Sequence, residues 1–487
     1  MALTRKEFDV LSTLATSPDD ARAQAASPEL DELRSMGLVS GTAITELGRK
    51  ALEPYRVENA VIMAAGLSSR FVPVSYWRPK GLTSVRGEVL IERQIRQLHE
   101  AGVTDITVVV GYRADEFAYL AEKYGVRLVT NDLYAERNNN WTLWLVRDQL
   151  RNTYICSSDD YFAQNPFETY VYRAYYSAVY MDGSTDEWCL GVDENDRITS
   201  VTVGGKDAWA MLGHVYFDRA FSNTFVRILE SIVRSPFYEE KYADELWETI
   251  FARNPDCLSM DIRRYPAGQV LEFDSVDELM EFDPSFLTKV ECPALDNIVD
   301  VLGCERTQLH GFYPIKNGLT NLTFHFAVGA EEYVYRHPGV GTEKFINRAA
   351  EKDADTVAHE LGIDRTFVYE DAEKGWKISH FVPNAKNVDP LDSSEVARAM
   401  QLARTFHESG ARIDATFDFY RDGLGYERLL KSHGNINIPG YDELCEKVTH
   451  LNEYCTADEG FSACFCHNDY LPLNFLIGED GSMSVID

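Results

Sequence analysis

A buried strand and the loop that follows it are encoded by Asn59-Ala60-Val61-Ile62-Met63-Ala64-Ala65-Gly66-Leu67-Ser68-Ser69-Arg70-Phe71. The apolar first half is typical of a strand covered on both faces. Periodicity predicts helices at 90–100 and 116–123 and further strands at 106–110 and 126–129. Strands that alternate with helices at this spacing predict parallel βαβ units. We therefore expect an α/β, Rossmann-like fold with a mixed, mostly parallel sheet and a ligand site at the carboxyl ends of its strands.

The loop after this strand has the composition of a phosphate-binding loop. Its small residues let backbone N–H groups approach a triphosphate, and Arg70 can hold phosphate oxygens in a bidentate fork. Lys80, ten residues later, can neutralise charge on an attacked α-phosphate, so Arg70 and Lys80 are candidate catalytic residues. The candidate nucleotide-binding residues of the loop are Ala64, Ala65, Gly66, Ser68 and Ser69.

This region resembles the nucleotidyltransferases that activate sugar phosphates and phosphocholine, and among them the bacterial CTP:phosphocholine cytidylyltransferases. The likeness covers about residues 58–285, with a serine, Ser68, where the family has its second loop glycine. It is carried by residues 63–71, Val110-Gly111-Tyr112, Asn131-Asp132, Asn138-Asn139-Asn140 and residues 154–161. The resemblance implies a single displacement in which the substrate phosphate attacks the α-phosphorus of CTP and pyrophosphate leaves, with Mg²⁺ as cofactor.

The resemblance also implies metal and acceptor ligands. Asp159 matches the family's metal-binding aspartate, and Asp244 is the best candidate for a second one, with Asp160 and Glu245 as alternatives. Aromatic faces and a carboxylate recognise a trimethylammonium head, and six of the seven tryptophans fall in this region, which favours choline. Ethanolamine and sugar acceptors stay open. The candidate substrate-binding residues are Asn131, Glu187, Trp188 and Trp247.

A second motif lies at His467-Asn468-Asp469-Tyr470-Leu471-Pro472-Leu473-Asn474. Its H-x-D-x(4)-N spacing resembles the catalytic loop of the choline and aminoglycoside kinase family, which implies a protein-kinase-like α+β domain using ATP and choline. By this likeness Asp469 orients the substrate hydroxyl and accepts its proton, while Asn474 and Asp487 bind Mg²⁺. The candidate nucleotide-binding residues are Asn317, Gly318, Arg336 and Glu351, the last as an ion-pair partner of Arg336.

The secondary structure around this motif is predicted in outline. Strands at 322–327 and 332–336 form a hairpin about Gly329-Ala330, and residues 345–455 are predicted to be mostly helical. His407 is interpreted as a structural histidine. Because family members continue past the final aspartate, we expect a C-terminally incomplete domain, with weak or absent kinase activity if the chain ends at Asp487.

Length and charge limit the remaining possibilities. A chain of 487 residues predicts several domains, here a winged-helix-like segment at 1–57, a nucleotidyltransferase at 58–288 and a kinase-like phosphotransferase at 293–487. The net charge of −31 argues against nucleic acid or anionic membranes as partners, and it favours a packing role over DNA binding for the first segment, whose expected recognition helix near 17–28 is short.

Apolar runs and cysteines complete the sequence evidence. No run reaches the roughly twenty apolar residues that cross a bilayer, and the start lacks the apolar core of a signal peptide, so we expect a cytoplasmic protein. The nine cysteines are scattered, with only Cys464 and Cys466 close, and support neither a zinc site nor a disulfide framework. A homo-oligomer is compatible with the sequence.

The two enzymatic likenesses describe consecutive reactions. One domain would phosphorylate choline with ATP, and the other would convert phosphocholine and CTP into CDP-choline and pyrophosphate, a supply for bacterial surface glycans. Three alternatives stay open. They are a sugar-1-phosphate nucleotidyltransferase fused to a small-molecule kinase, a DNA-binding regulator with ligand-sensing domains, and a degenerate kinase acting as a scaffold.

Overall fold

The computed structural model describes residues 3–16, 28–315, 321–339, 342, 346–457 and 463–486. The chain divides into two compact units, residues 1–293 and 294–487. In the part of the chain that is described, no helix has both the length and the apolar character needed to cross a membrane.

The N-terminal segment is a small helical layer packed on the first unit. Its elements are α1 (Arg5–Thr16), α2 (Pro28–Ser35), β1 (Val39–Ser40), β2 (Ala43–Ile44) and α3 (Glu46–Leu52). Phe8, buried on α1, lies 5.1 Å from the ring of Tyr55 and 5.3 Å from that of Tyr172. These contacts fit the packing interpretation. Residues 17–27, nearly all of the stretch expected to hold a recognition helix, lie outside the described residues.

The rest of the first unit contains strands and helices in alternation, followed by shorter elements. In order they are β3 (Asn59–Ala64), β4 (Ser84–Val85), β5 (Glu88–Val89), α4 (Leu90–Glu100), β6 (Ile106–Val110), α5 (Tyr119–Tyr124), β7 (Arg127–Thr130), α6 (Asn139–Leu145), β8 (Thr153–Ser157), β9 (Asp160–Phe162), β10 (Tyr175–Val192), β11 (Ile198–Phe217), α7 (Arg219–Val233), α8 (Tyr238–Lys241), α9 (Trp247–Arg253), β12 (Asp261–Tyr265), β13 (Val270–Glu272), α10 (Val276–Phe282) and α11 (Phe286–Lys289).

The main sheet has the strand order β12-β10-β11-β8-β3-β6-β7. β3 pairs in parallel with both β6 and β8, and β6 pairs in parallel with β7, whereas β11 runs antiparallel to both of its neighbours. The mixed, mostly parallel sheet expected from the sequence is therefore confirmed. Because the carboxyl ends of β3, β6 and β8 meet at one edge, the loops that follow these strands converge there.

Both faces of the sheet are covered, which explains the unbroken apolar run of β3. Ala60 and Ile62 belong to the core under α4, while Val61 belongs to the core under α7. The two helices contribute apolar stripes at helical spacing. On α4 these are Ile91, Ile95 and Leu98, and on α7 they are Phe221, Phe225 and Leu229.

The second unit begins with a helix that precedes an antiparallel sheet. Its elements are α12 (Pro293–Leu302), β14 (Leu309–Ile315), β15 (Asn321–Val328), β16 (Glu331–Pro338), α13 (Arg348–Glu360), β17 (Phe367–Asp371), β18 (Trp376–His380), α14 (Ser393–Glu408), α15 (Phe419–His433), α16 (Tyr441–Thr456), β19 (Phe475–Ile477) and β20 (Met483–Val485). The larger sheet has the order β14-β15-β16-β18-β17.

The sheet of the second unit confirms one prediction and corrects another. β15 and β16 form the expected hairpin about Gly329-Ala330. Residues 345–455 are helical for most of their length but also contain the hairpin of β17 and β18, which the sequence analysis missed. The turn between these strands ends at Gly375, whose backbone φ of 69° is in the left-handed region that favours glycine.

Candidate active sites

A cleft of about 580 Å³ opens beside the carboxyl ends of β3 and β8. Residues from the loop after β3, from the segment before α6 and from the region of β13 line it. The lining residues are Leu67, Ser68, Ser69, Arg70, Phe71, Lys80, Tyr134, Ala135, Glu136, Arg137, Asn138, Asp159, Asp244, Glu272 and Asp274. The structure thus brings the predicted Ser68, Ser69, Arg70, Lys80, Asp159 and Asp244 into one cleft.

Close backbone packing gives the floor of this cleft its shape. A Cβ on Gly111, just after β6, would come within 2.8 Å of the Ala65 carbonyl oxygen and 2.7 Å of the Tyr134 Cβ. A Cβ on Gly81 would come within 2.7 Å of the Ser158 side chain. Glycine is needed at both points because any larger residue would push these segments apart. Ala64 and Ala65 are buried at the base of the loop, and Gly66 continues it towards the lining residues.

Lys80 and Asp159 form the central ion pair of the cleft. The Lys80 Nζ lies 2.6 Å from the Asp159 Oδ2, and 6% and 18% of the two side chains are exposed. Burial works against the charge of Lys80, but the Asp159 carboxylate outweighs it and raises the pKa of this lysine. Burial likewise opposes ionisation of Asp159, and the attraction and hydrogen bond of Lys80 lower its pKa. Both side chains are therefore charged at neutral pH.

Further carboxylates crowd around this pair. Glu272 lies opposite Asp160 in the antiparallel pairing of β9 and β13. Burial and the nearby Asp159 raise the pKa of Glu272 to about 8. Burial, with Glu272 and Asp159, also raises the pKa of Asp160 well above its usual range. Asp274, two residues beyond Glu272, holds Arg70 through a 2.7 Å contact between its Oδ2 and a guanidinium nitrogen.

Three consecutive asparagines hold the segment that carries Asp244. The Asn138 side chain donates to the backbone carbonyl of Asp244 at 3.2 Å, and the Asn140 side chain donates to that of Tyr242 at 2.7 Å. Asn139 accepts from the Trp247 backbone N–H at 2.8 Å. These bonds fix the loop between α8 and α9 against the start of α6, so that Asp244 reaches the cleft although it lies 85 residues after Asp159.

The predicted acceptor-binding residues are dispersed. Asn131 is buried, and its side chain accepts from the Leu133 N–H at 3.0 Å and donates to Thr142 at 3.3 Å, so it shapes the loop after β7. Glu187, on β10, is close enough to the charges of the cleft that Asp274 raises its pKa beyond the effect of burial, while Arg70 opposes the rise.

The two tryptophans expected at the acceptor site lie in the second core of the sheet. Trp188 is partly buried against this core. Trp247 is 1% exposed and stacks on Tyr176 with ring centroids 5.8 Å apart, with Phe217 and Phe225 at its edges. The expectation that Trp247 contacts a ligand is therefore corrected, because its ring is enclosed by the apolar faces of β10, β11 and α7. Of the two aromatic residues at the cleft, Tyr134 is partly exposed, whereas Phe71 is 1% exposed and belongs to its packed wall.

The donor set of the cleft fits a hard divalent cation. Its carboxylates are those of Glu136, Asp159, Asp244, Glu272 and Asp274. One buried oxygen of Asp160, next to Asp159, has no hydrogen-bond partner among the described residues. Oxygen ligands of this kind suit Mg²⁺. Asp159 and Asp244, the two predicted metal ligands, both line this cleft.

The second motif lies in the other unit, before β19. The Asn474 amide donates to the Asp469 carboxylate at 3.1 Å and to its backbone carbonyl at 2.9 Å. The His467 ring contacts the Ile486 carbonyl at 3.3 Å, which ties the start of the loop to the residue after β20. The motif is thus folded as a compact loop in which Asp469 and Asn474 touch, as the kinase likeness requires. Asp487 lies outside the described residues.

Arg336 has the ion-pair partner that the sequence predicted. Its guanidinium lies 2.7 Å from Glu351 on α13 and 3.3 Å from Glu370 on β17. Lys377, opposite Arg336 on β18, lies 2.5 Å from Asp355 one turn further along α13. Arg348 on α13 also lies 2.7 Å from Glu351, so three cations and three carboxylates form a largely buried network between the sheet and α13. The predicted Asn317 and Gly318 lie outside the described residues.

Sequence reasoning missed Glu272, Asp274 and Lys377. The two carboxylates are at positions i and i+2 next to a short strand, where they share a face, and this pattern could have paired them with Asp159. Lys377 lies between Trp376 and Ile378 in β18, a strand in a region that was predicted to be mostly helical, so its pairing in a sheet was not expected. Arg137 gave no signal beyond its position before the three asparagines.

Comparisons with known proteins show which families this chain is similar to. Residues 60–138 match the family described as MobA-like NTP transferase domain. The choline-phosphate cytidylyltransferase of Streptococcus pneumoniae is 33% identical over 224 residues, which are 46% of this chain and 96% of the relative. The 2-aminoethylphosphonate cytidylyltransferase of Lancefieldella rimae is 34% identical over 233 residues, 47% of this chain and 93% of the relative.

A solved structure is also similar to part of this chain. It is the crystal structure of the choline kinase LicA from Streptococcus pneumoniae, with 26% sequence identity and a TM-score of 0.34. The match covers 40% of this chain and 66% of that one.

Proposed function

The chain belongs to the bacterial cytidylyltransferase family that includes choline-phosphate cytidylyltransferase, and from this premise we propose that its first unit joins CTP and phosphocholine into CDP-choline and pyrophosphate. The observation that carries the proposal is the Lys80–Asp159 pair, set beside the loop of small residues in a cleft of about 580 Å³. A cation that stays protonated, next to a carboxylate that stays ionised, serves a reaction between two anions.

The reaction is a single displacement at the α-phosphorus. An oxygen of the substrate phosphate forms a bond to this phosphorus while the bond to the pyrophosphate oxygen breaks. A phosphomonoester is largely dianionic near neutral pH, so its attack needs no general base. Backbone N–H groups of the loop and Arg70 bind triphosphate oxygens, and Lys80 offsets the negative charge that accumulates at the α-phosphate.

We further propose that this reaction requires Mg²⁺, held by Asp159 and Asp244. The ion supplies charge neutralisation on the triphosphate when bound. The residues of the chain contribute its placement. Asp159 is ionised and lies at the end of β8, and the asparagines at 138–140 hold the backbone that carries Asp244.

The acceptor we propose carries a cationic head. Five carboxyl groups and three basic side chains line the cleft, and four carboxyl groups remain against the three basic ones when Glu272, whose pKa is raised to about 8, is protonated. Negative charge is therefore left over after the basic groups engage phosphates. Phosphocholine and 2-aminoethylphosphonate both have a cationic nitrogen beside a phosphorus acid, and relatives named for each are similar to this chain to nearly the same degree. Phosphocholine is the first candidate because Tyr134, which is partly exposed at the cleft, offers a ring face to a trimethylammonium group.

The direct test measures pyrophosphate release by the full chain with CTP and Mg²⁺. Phosphocholine, phosphoethanolamine, 2-aminoethylphosphonate and glucose 1-phosphate are compared as acceptors, and each of the four NTPs as donor. We expect CTP with phosphocholine to be the best pair. Asp159→Asn should abolish release, whereas Asp115→Asn, an exposed residue away from the cleft, should not. Turnover with glucose 1-phosphate alone would refute the cationic acceptor.

We also propose that the second unit phosphorylates choline with ATP. The contact of Asp469 with Asn474 supports this, because a base and a metal ligand five residues apart must meet in such a loop. The ion pair of Arg336 with Glu351 supports a role for Arg336 on the nucleotide phosphates. The product of this reaction would be the acceptor of the first unit.

The kinase proposal has its own test. Choline and ATP are added to the full chain without CTP, and ADP is measured. We expect Asp469→Asn to remove ADP formation and Asp442→Asn, an exposed residue on α16, to leave it unchanged. ADP formation that is absent in the unmodified chain, beside normal pyrophosphate release, would refute the kinase proposal and leave cytidylyl transfer standing.

The organisation we propose assigns residues 58–288 to the transferase, 293–487 to the kinase and 1–57 to a packing layer on the transferase. We place both reactions in the cytoplasm. The support is that the nine cysteines are scattered in the sequence and are not joined in disulfides, which is typical of proteins in a reducing compartment.

A further inference from the structure

His407, Cys464 and Cys466 come together on the surface of the second unit. Their possible ligand atoms all lie within 4.8 Å of one another, and all three side chains are exposed. The two sulfur atoms are 3.3 Å apart, and both cysteines are free thiols. His407 was expected to be structural, and the lack of paired C-x-x-C spacings gave no support for a zinc site.

The surrounding core positions these three residues. Phe406 and Phe465 are both buried, and their rings are 5.6 Å apart, so the end of α14 is packed against the segment before the catalytic loop. His407 is next to one ring in sequence, and the two cysteines flank the other. Residues at i and i+2 of an extended segment share a face, which places both thiols on the same side. Arg412 adds a hydrogen bond to the Ala463 carbonyl at 3.1 Å.

The separations are close to those of a tetrahedral metal site. Zinc bound by two thiolates at about 2.3 Å holds their sulfur atoms about 3.8 Å apart, and the nitrogen lies at a similar distance. The observed sulfur separation of 3.3 Å requires a movement of about half an ångström on binding. Two sulfur ligands and one imidazole select zinc over Mg²⁺, which prefers oxygen.

We propose that His407, Cys464 and Cys466 bind one Zn²⁺ ion, with water as the fourth ligand. Each thiol releases its proton to solvent when the ion binds. Cys466 lies three residues before Asp469 in the sequence and directly precedes His467. Zinc therefore ties the start of the catalytic loop to α14. This site is separate from the oxygen-lined cleft of the first unit.

Zinc binding is tested on the reduced full chain in excess Mg²⁺, which saturates oxygen sites. Titration with Zn²⁺, and with Co²⁺ as a coloured substitute, measures stoichiometry and thiolate ligation. We expect one equivalent of zinc, and a Kd raised at least about tenfold in Cys464→Ser, Cys466→Ser and His407→Gln. Cys455→Ser and His450→Gln, exposed residues on α16, are matched controls and should bind as the unmodified chain does.

Several results would overturn the proposal. They are no uptake of zinc by the reduced chain, unchanged affinity in any of the three site variants, and equal loss in the two controls. If the purified chain has a mass two daltons below that of the reduced chain and Cys464 and Cys466 are joined to each other, the pair is a disulfide instead. Hydrogen exchange gives the second measurement. Zinc should slow exchange of the 464–470 amides in the unmodified chain and leave it unchanged in Cys464→Ser.

Discussion

Each unit of the molecule holds a buried lysine against an aspartate. Lys80 lies 2.6 Å from Asp159 in the first unit, and Lys377 lies 2.5 Å from Asp355 in the second. The exposed fractions are similar, at 6% and 18% for the first pair and 7% and 9% for the second. In both lysines burial opposes the charge, and the aspartate more than compensates, so that the pKa is raised. By burial and distance alone the two pairs are nearly equivalent.

Their surroundings differ. Asp159 follows a strand of a parallel arrangement and lines an open cleft, whereas Asp355 lies on a helix that covers an antiparallel sheet. Lys377 and Asp355 also share their charges with Arg336, Glu351 and Glu370. The first pair faces a cleft that a ligand can enter, while the second pair is enclosed by other charged side chains. Burying an ion pair costs free energy in both places, and the position of the pair in the fold determines whether a substrate can contact it.

The largest expected effect separates the two lysines by activity. Lys80→Ala should slow pyrophosphate release from CTP and phosphocholine by about 10²–10³-fold, because the charge at the attacked phosphate loses its preorganised partner. Initial rates at saturating substrate measure this. Lys123→Ala, an exposed lysine of α5, is the matched control and should stay near the unmodified rate. A Lys80→Ala rate within threefold of the unmodified chain would place the chemistry elsewhere.

Replacement of Lys377 should have the opposite outcome, with a loss of stability in the second unit and no change in pyrophosphate release. Lys377→Met leaves Asp355 buried without its nearest cation, and removal of one partner from a buried pair costs about 3 kcal/mol of stability. Hydrogen exchange of the β16 and β18 amides reports this loss in the second unit. Cytidylyl transfer should be unaffected. Lys352→Met, exposed on α13, controls for the loss of a positive charge. Unchanged exchange in Lys377→Met would show that the network tolerates one cation fewer.

The contrast also explains which parts of the molecule the sequence could predict. The strand at 59–64 and the helix at 90–100 were predicted to the residue, because apolar periodicity determines elements that pack on both faces of a sheet. Arg70 and Lys80 were proposed from the pattern of the loop after β3, and Asp159 from the family resemblance, and all three line one cleft. Local sequence patterns were therefore enough to predict the elements of the parallel part of the sheet and the loops at the carboxyl ends of its strands.

Long-range partners were beyond these patterns. Asp244 reaches the cleft through bonds from the asparagines at 138–140, and Glu272 through pairing with β9. Trp247 was expected at the ligand because tryptophans suit cationic heads, but the same ring fills a core as readily, and only the fold decides between the two. In the second unit, β18 is short and its buried Lys377 breaks the apolar pattern of a strand.

A third test examines burial without an ion-pair partner. His214 is enclosed by Tyr154, Tyr175 and Phe162, and the Tyr175 hydroxyl lies 2.8 Å from its Nε2. Burial, with a smaller effect of Arg263, lowers the pKa of His214 to about 3. The unfolded chain therefore takes up a proton more readily, and the stability due to neutral His214 is lost as pH falls from about 6.5 towards 3.

The size of this effect follows from the shift. Between pH 7 and pH 5 the contribution of His214 to the free energy of unfolding should fall by about 2 kcal/mol. His214→Gln should remove that part of the pH dependence, whatever its own stability, while His99→Gln should keep it. Denaturant unfolding of the first unit at both pH values gives the difference. Equal pH dependence in the His214 variant and the unmodified chain would show that the histidine is accessible to protons.

The smallest expected effect concerns the loop that makes the first ion pair usable. Ser68 has a backbone φ of 51°, in the left-handed region, whereas its neighbour Ser69 does not. A residue with a Cβ is strained there by about 1–2 kcal/mol, and glycine gives back part of this gain through its larger freedom in the unfolded chain. Ser68→Gly should therefore raise the free energy of unfolding of the first unit by up to about 1 kcal/mol.

Ser69→Gly is the matched control for this test, and it should lower the same free energy by about 0.5–1 kcal/mol because no strain is relieved there. Denaturant unfolding of the two variants side by side measures the difference in sign. Equal destabilisation by both would mean that the loop relaxes around Ser68 and that its backbone is not held for a ligand. A higher free energy of unfolding for Ser68→Gly and a lower one for Ser69→Gly would mean that the fold holds a strained loop in place beside Lys80. The enclosed network around Lys377 has no such loop to hold for a ligand.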